Sequence, residues 1–426
     1  MISRANVNEC FVYITLPGET EFVTAGKFEL TINRQGIPAG KFVYGRSYLE
    51  RGDAVPIDPL ALKLSDKTYQ TNTLKGVFGA LRDASPDYWG RRVIEKQLGR
   101  TELGEIDYLL HSPDDRAGAL SFGLNRDPPA PRRKFNQTME LERLQALAEI
   151  IIADEELPKG EEAEQVQDLV YGGTSMGGAR PKAVVEDGNA LWIAKFRHPE
   201  DKWNDARVEH AMLRLGRECG LQTAESKVVP IGEHDAILIK RFDREHTPSG
   251  YRRGRMLSAL TLLRADEHYH NRDNWSYVLL VEELRRFSSQ PRTDAPELFR
   301  RMCFNALISN VDDHPRNHAV VAMNTDWKLS PAYDLTPSTP ISIERRDLAL
   351  ECGDMGRYAH AENLMSQCER FYLKPDEAEN TINKMEEIVK SKWYDIARRE
   401  GVTEKDCKKI ATAFAYEGFR LNIPAD

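Results

Sequence analysis

Alternation of apolar and polar positions dominates residues 10 to 50, in runs such as Cys10-Phe11-Val12-Tyr13-Ile14 and Gly26-Lys27-Phe28-Glu29-Leu30-Thr31-Ile32. With Gly and Pro between the runs, this period of two predicts a small β-rich unit. From 75 to 124 the spacing turns helical, interrupted by Arg82-Asp83-Ala84-Ser85-Pro86-Asp87-Tyr88-Trp89-Gly90. The proline-rich, basic run Arg126-Asp127-Pro128-Pro129-Ala130-Pro131-Arg132-Arg133-Lys134 reads as an exposed connector and marks a subdomain boundary. A helix is predicted over 139–152, and the acidic stretch from Asp154 to Asp168 reads as a solvated helix face or loop. Strands follow at Lys182 to Val185, Ala190 to Phe196 and Ala236 to Phe242, with a helix from about Ala206 to Cys219 before the third. Beyond Phe242 the pattern is mostly helical. The expected organisation is a β-rich part over 1–130, a mixed part over 131–240 and a helical part over 241–426, with no internal repeat.

Composition bounds this picture without changing it. The 426 residues, 41% hydrophobic and 30% charged, describe a globular chain able to bury a sizeable core. A net charge of -8 argues against coating nucleic acid by charge alone, so any DNA contact should be local or supplied by a partner. Arg252-Arg253-Gly254-Arg255 and Arg285-Arg286 accordingly read as solvated surface. The six cysteines are scattered without a C-x-x-C pair, which predicts free thiols in a reducing compartment. No run of 18 apolar residues exists, and Met1 to Asn6 lead into a strand-like segment, so a cytoplasmic protein without membrane association is expected.

The chemistry concentrates in Ile308-Ser309-Asn310-Val311-Asp312-Asp313-His314-Pro315-Arg316-Asn317, where an aspartate and an asparagine stand five positions apart after a hydrophobic stretch. That is the spacing of a kinase catalytic loop, in which Asp accepts a hydroxyl proton and Asn holds magnesium. Asp334, after Ser330-Pro331-Ala332-Tyr333, is placed where a second Mg2+ ligand is needed. His314 is expected to brace the loop by hydrogen bonds, and Asp313 to be exposed or a helix cap. Upstream, the Gly-rich stretch from Tyr171 to Lys182 could wrap a phosphate through Gly177 and Gly178, with Lys182 adding charge, although it is neither a Walker A sequence nor G-x-G-x-x-G. Taken alone, such a stretch is more often just a turn. Lys195, in the apolar strand that follows, stands where a kinase contacts the α- and β-phosphates, and Glu209 on the next helix could pair with it. Taken singly, these two are an edge-strand lysine and a solvated helix position. Ile237-Leu238-Ile239-Lys240-Arg241-Phe242-Asp243-Arg244 could offer backbone groups to an adenine edge or be a buried strand with a charged end. The order of these elements matches one machine for phosphoryl transfer.

The same residues resemble the HipA-type serine/threonine kinases, toxins of bacterial toxin–antitoxin pairs. The most specific pieces are Leu81 through Gly90, Arg116-Ala117-Gly118-Ala119-Leu120, Ser175 through Lys182, Lys240 through Arg244, Asn310 through Asn317, and Pro331 through Asp334. The resemblance implies an α+β, two-lobed protein-kinase-like fold with an N-terminal β-rich subdomain and a helical C-terminal lobe. It implies that Asp312 is the catalytic aspartate, that Asn317 and Asp334 hold Mg2+, that Lys195 contacts ATP, and that the backbone at Lys240 and Phe242 meets adenine. Ser175 matches the serine that the family autophosphorylates, which silences the enzyme. Arg180 stands where the family often has Gln. The resemblance also implies a helix-turn-helix antitoxin of HipB type, operator DNA reached mainly through that antitoxin, and a protein target such as an aminoacyl-tRNA synthetase. Two other classes stay open at this point: a catalytically silent kinase-like scaffold for a DNA-binding repressor, and a small-molecule phosphotransferase.

Overall fold

The computed structural model describes residues 8–101, 103–114, 116–155, 180–339 and 342–421. They form two compact units, each described by itself. The first holds the described residues of Met1–Phe196, Lys240–Thr261 and Val321–Asp326; the second holds those of Arg197–Ile239, Leu262–Val320 and Trp327–Asp426.

In the first unit, β1 (Glu9–Thr15), β2 (Phe22–Ile32), β3 (Pro38–Tyr44), β4 (Tyr69–Thr71) and β5 (Leu120–Gly123) build one antiparallel sheet in the order β4-β3-β2-β1-β5. Their alternation buries Val12, Ile14, Phe28 and Phe42 completely, and Phe78 meets the rings of Phe28 and Phe42 edge-on at 6.2 and 6.5 Å. Residues 120–123 therefore end the supposedly helical block as a strand. Four residues are too few for a period of two to register, and their place is decided by pairing with β1.

Helix Tyr88–Leu98 begins at Asp87, whose Oδ1 accepts the Gly90 amide at 2.8 Å, and ends at the left-handed Gly99. Helix Leu141–Ile152 presents Leu141, Leu144, Ala148 and Ile151 as one buried stripe, as expected for 139–152. Next, β6 (Asn136–Gln137) runs parallel to β7 (Lys182–Asp187), which returns antiparallel as β8 (Ala190–Lys195). Phe135, Val184, Leu191 and Ile193 form a small core there, with Tyr251 packed against it. The chain after Phe242 is at first a β-hairpin, β11 (Arg244–Thr247) with β12 (Gly250–Arg253), where helical pattern was expected. The Arg252 to Arg255 cluster is corrected as well. Arg253 and Arg255 are buried, Arg253 donating to the Asp114 carbonyl and Arg255 to that of Asn324 at 2.8 Å.

In the second unit, helix Asp205–Glu218 precedes the hairpin of β9 (Ser226–Ile231) and β10 (His234–Lys240). Helix Pro291–Leu307 is the centre of this unit. Leu298, Phe299, Met302, Cys303, Phe304 and Leu307 on it are fully buried, against helices Tyr277–Phe287 and Pro375–Arg399. All six cysteines are free and buried. Among the described residues no helix is long and apolar enough to cross a membrane.

Candidate active site

The buried helix Pro291–Leu307 delivers the catalytic loop by stopping abruptly. Ile308 caps it, and Ser309 turns back at φ +53°, held by the Arg346 guanidinium, which donates to its hydroxyl at 2.6 Å. Asn310, 1% exposed, then donates from one side-chain amide to Asn305 Oδ1 at 3.1 Å and to the Asp334 carbonyl at 3.4 Å. A second tie comes from the Tyr333 hydroxyl, which donates to the Arg316 carbonyl at 2.7 Å. These bonds bring the Asp334 segment to the loop although Asp334 stands 17 positions after Asn317 in the sequence. Asp334 itself sits at φ +58°, a left-handed conformation that a non-glycine residue keeps only where its surroundings impose it.

Asp312 lies at the surface, and its carboxyl is nevertheless enclosed enough for desolvation to raise its pKa. The bond from Tyr269 opposes that rise, the carboxylates of Asp334 and Asp313 add to it, and Arg272 lowers it. The Tyr269 hydroxyl donates to Asp312 Oδ1. Asp313 faces the opposite way. It is 1% exposed, accepts from the Tyr277 hydroxyl, and meets His318 Nε2 at 2.8 Å, while Asn305 donates to the Tyr277 oxygen at 2.9 Å. The expectation that Asp313 is exposed or a cap is thus corrected: it is the anchor of a buried polar network.

His314 braces the loop, as expected. Its Nδ1 accepts the Arg316 amide at 3.0 Å, so Nε2 carries the proton toward the Glu267 carbonyl at 3.1 Å. Burial pushes its pKa down to about 4, and the ring stays neutral. Asn317 closes the short turn Pro315–Asn317 with its amide on the His314 carbonyl at 2.8 Å. Among the described residues its side-chain amide makes no hydrogen bond, so its oxygen is available to a cation. Among those residues, too, no group of three His, Cys, Asp or Glu side chains could hold a metal ion by itself. An Asn oxygen and an Asp carboxylate completed by phosphate oxygens is a donor set suited to Mg2+, and Asn317 and Asp334 are residues of the types such a set would need.

The first unit carries the residues expected at the nucleotide. Lys195 ends β8, half-buried, with Lys182 as its cross-strand partner. Lys182 departs from the expectation of a phosphate contact: it is 1% exposed and its ammonium is paired with Asp87, while the Trp89 indole donates to the Lys182 carbonyl at 3.2 Å. The Arg241 amide donates to the Leu191 carbonyl at 2.8 Å; Lys240 ends β10 and Phe242 stands in the turn that follows. Glu209, in the second unit, is buried at 4% on helix Asp205–Glu218, not solvated. Gly177, Gly178 and Ser175 lie outside the described residues.

The remaining motifs of the first unit are structural. Asp243, fully buried, binds Arg241 at 2.9 Å and Arg244 at 2.8 Å and accepts the Gly118 amide at 2.9 Å. Burial alone would raise its pKa; the two guanidiniums outweigh it and hold the carboxyl well below the carboxylate range. Those guanidiniums also donate to the Arg116 carbonyl at 2.7 and 2.5 Å. Gly118 stands at φ +79° with the Met256 backbone 3.3 Å from where a Cβ would be, which explains a glycine there. Sequence reasoning missed Tyr269, Tyr277, Asn305 and His318, because none stands at a diagnostic spacing from the loop.

Comparison with known proteins agrees with these motifs. Residues 24–123 match the model of the HipA N-terminal domain, and residues 174–393 that of the HipA-like C-terminal domain. A "Putative kinase" of Haemophilus influenzae is 29% identical over 189 residues, 39% of this chain and 54% of that protein. "Putative kinase Y4dM" of Sinorhizobium fredii is 30% identical over 179 residues, 39% of this chain and 41% of that protein. The chain thus spans about half the length, or less, of these curated relatives. A chain of the Shewanella oneidensis toxin–antitoxin complex of HipA, HipB and operator DNA superimposes with a TM-score of 0.66 at 17% identity, covering 95% of this chain and 94% of that one. The shared fold is α+β and kinase-like.

Proposed function

Since the chain belongs to the HipA family, with 220 residues inside the HipA-like C-terminal domain alone, we propose that it is an ATP-dependent serine/threonine protein kinase acting as the toxin of a toxin–antitoxin pair. The observation that supports this reading is that Asn310 and Tyr333 tie the segment of Asp334 to the loop that carries Asp312 and Asn317, within one unit. Asp312 orients the acceptor hydroxyl and takes its proton. Asn317 and Asp334 hold Mg2+, which neutralises phosphate charge when bound. Lys195 contacts the phosphates and Glu209 supports it; the backbone at Lys240 and Phe242 meets adenine. In this reading Gly177 and Gly178 approach the phosphates, and Ser175 is autophosphorylated. A phosphoserine dianion at that point would repel ATP, which makes the modification a shut-off.

A protein target such as an aminoacyl-tRNA synthetase and a HipB-type helix-turn-helix antitoxin belong to the same proposal. The net charge of -8 supports operator DNA being reached through the antitoxin. Labelled γ-phosphate should enter protein with the wild-type chain and be lost with Asp312→Ala and Asp334→Ala. Equal labelling by all three sinks the proposal, and nucleotide binding without transfer by any of them returns the scaffold reading.

A further inference from the structure

Tyr269 makes, on Asp312, the hydrogen bond that an acceptor hydroxyl needs: a hydroxyl donating to Oδ1 of the proposed base. Its loop, from Ala265 to Trp275, is braced on both sides. Glu267 accepts from the Arg316 guanidinium at 2.5 Å and its carbonyl meets His314 Nε2 at 3.1 Å, and the Trp275 indole donates to the Asp266 carbonyl at 2.8 Å. Arg272 donates to the Tyr269 carbonyl at 2.8 Å and lays its guanidinium over the ring, 4.3 Å from the centroid. The ring packs edge-on against Trp275 at 5.1 Å and His314 at 5.8 Å. Burial and the Asp312 carboxylate both push the phenol pKa up, so it remains a donor. With Tyr269 43% exposed, the side chain can leave Asp312 without opening the core.

We propose that Tyr269 is a specificity residue that keeps water off Asp312 and yields only to a docked protein hydroxyl. This rests on the kinase reading above. Water, the competing acceptor, would attack the γ-phosphorus through its oxygen and give its proton to Asp312. The bond from that phosphorus to the β,γ-bridging oxygen would break, and ADP would leave with the electron pair, releasing inorganic phosphate. A water molecule must displace the phenol with no other contact to offset the loss, whereas a protein acceptor brings the binding energy of its whole docked surface.

The test uses the full chain with MgATP and no other protein, following ADP, free phosphate and protein-bound phosphate together. Tyr269→Phe keeps the ring, its aromatic neighbours and the Arg272 stack, so its thermal midpoint should match wild type. Its release of free phosphate should rise roughly five- to tenfold, the worth of one lost hydrogen bond to a charged group at a partly exposed site. A purely structural tyrosine predicts no rise or a fall, and either result overturns the proposal while Asp312-dependent turnover leaves the kinase reading standing. If Asp312→Ala releases ADP as fast as wild type, the kinase reading fails and this proposal falls with it.

Discussion

Asp313→Ala should unfold the protein more readily, whereas Asp312→Ala, which removes phosphate transfer, should not. Asp313 is buried under the Tyr277 hydroxyl and His318, and its loss strands both polar partners. A cost of about 2–3 kcal/mol follows, visible as a lower urea midpoint at unchanged slope. Equal midpoints for the two variants would refute the buried-anchor role. From sequence these neighbours could not be told apart, since adjacent carboxylates in a loop carry no periodicity. What separates them is burial, one side chain standing at the surface and the other inside. Asp312, Asn317 and Asp334 can be singled out in the sequence because the proposed chemistry itself requires such a spacing. Tyr269 was not, because nothing in Arg264-Ala265-Asp266-Glu267-His268-Tyr269 ties it to a loop more than forty positions on.

At the level of the loop as an element, His314 should make stability depend on pH. Its folded pKa of about 4 lies below the free value of 6.5. Between those values the unfolded chain binds more protons, so the contribution is fully present above about pH 6.5 and is lost as pH falls toward 4. Urea stability should therefore drop between about pH 7 and about pH 5 by up to a few kcal/mol, and His314→Gln should flatten that drop. A wild-type slope retained in the variant would assign it elsewhere. Elements differed in how well their patterns announced them. Helix Asp205–Glu218 and the β7–β8 hairpin fell within a few residues of expectation, having long amphipathic or alternating runs. β5, β11 and β12 are four residues each, and tertiary pairing rather than local pattern decides them. Lys182 shows the same limit for a side chain: a lysine beside glycines suggests an anion, and only the fold reveals Asp87 95 positions upstream.

On the scale of the molecule, a chain starting at residue 124 should fail to fold. It would keep Arg241, Arg244 and Lys182 but lose the Arg116 and Gly118 carbonyls and the Asp87 carboxylate that meet them. Removing an ion-pair or carbonyl partner from each of three buried cations costs several kcal/mol in sum, comparable with the whole stability of a domain. Circular dichroism and a thermal melt would decide it, since a cooperative transition at the full-length midpoint contradicts the expectation. The Asp243 cluster also bears on inheritance. One gene segment encodes the carboxylate and its two arginines, a distant one the Gly118 amide and the carbonyls, and the cluster needs both. Segment exchange between relatives should therefore survive only when the incoming stretch again places an amide and two carbonyls at these points, which makes the two stretches a single heritable trait written in two places.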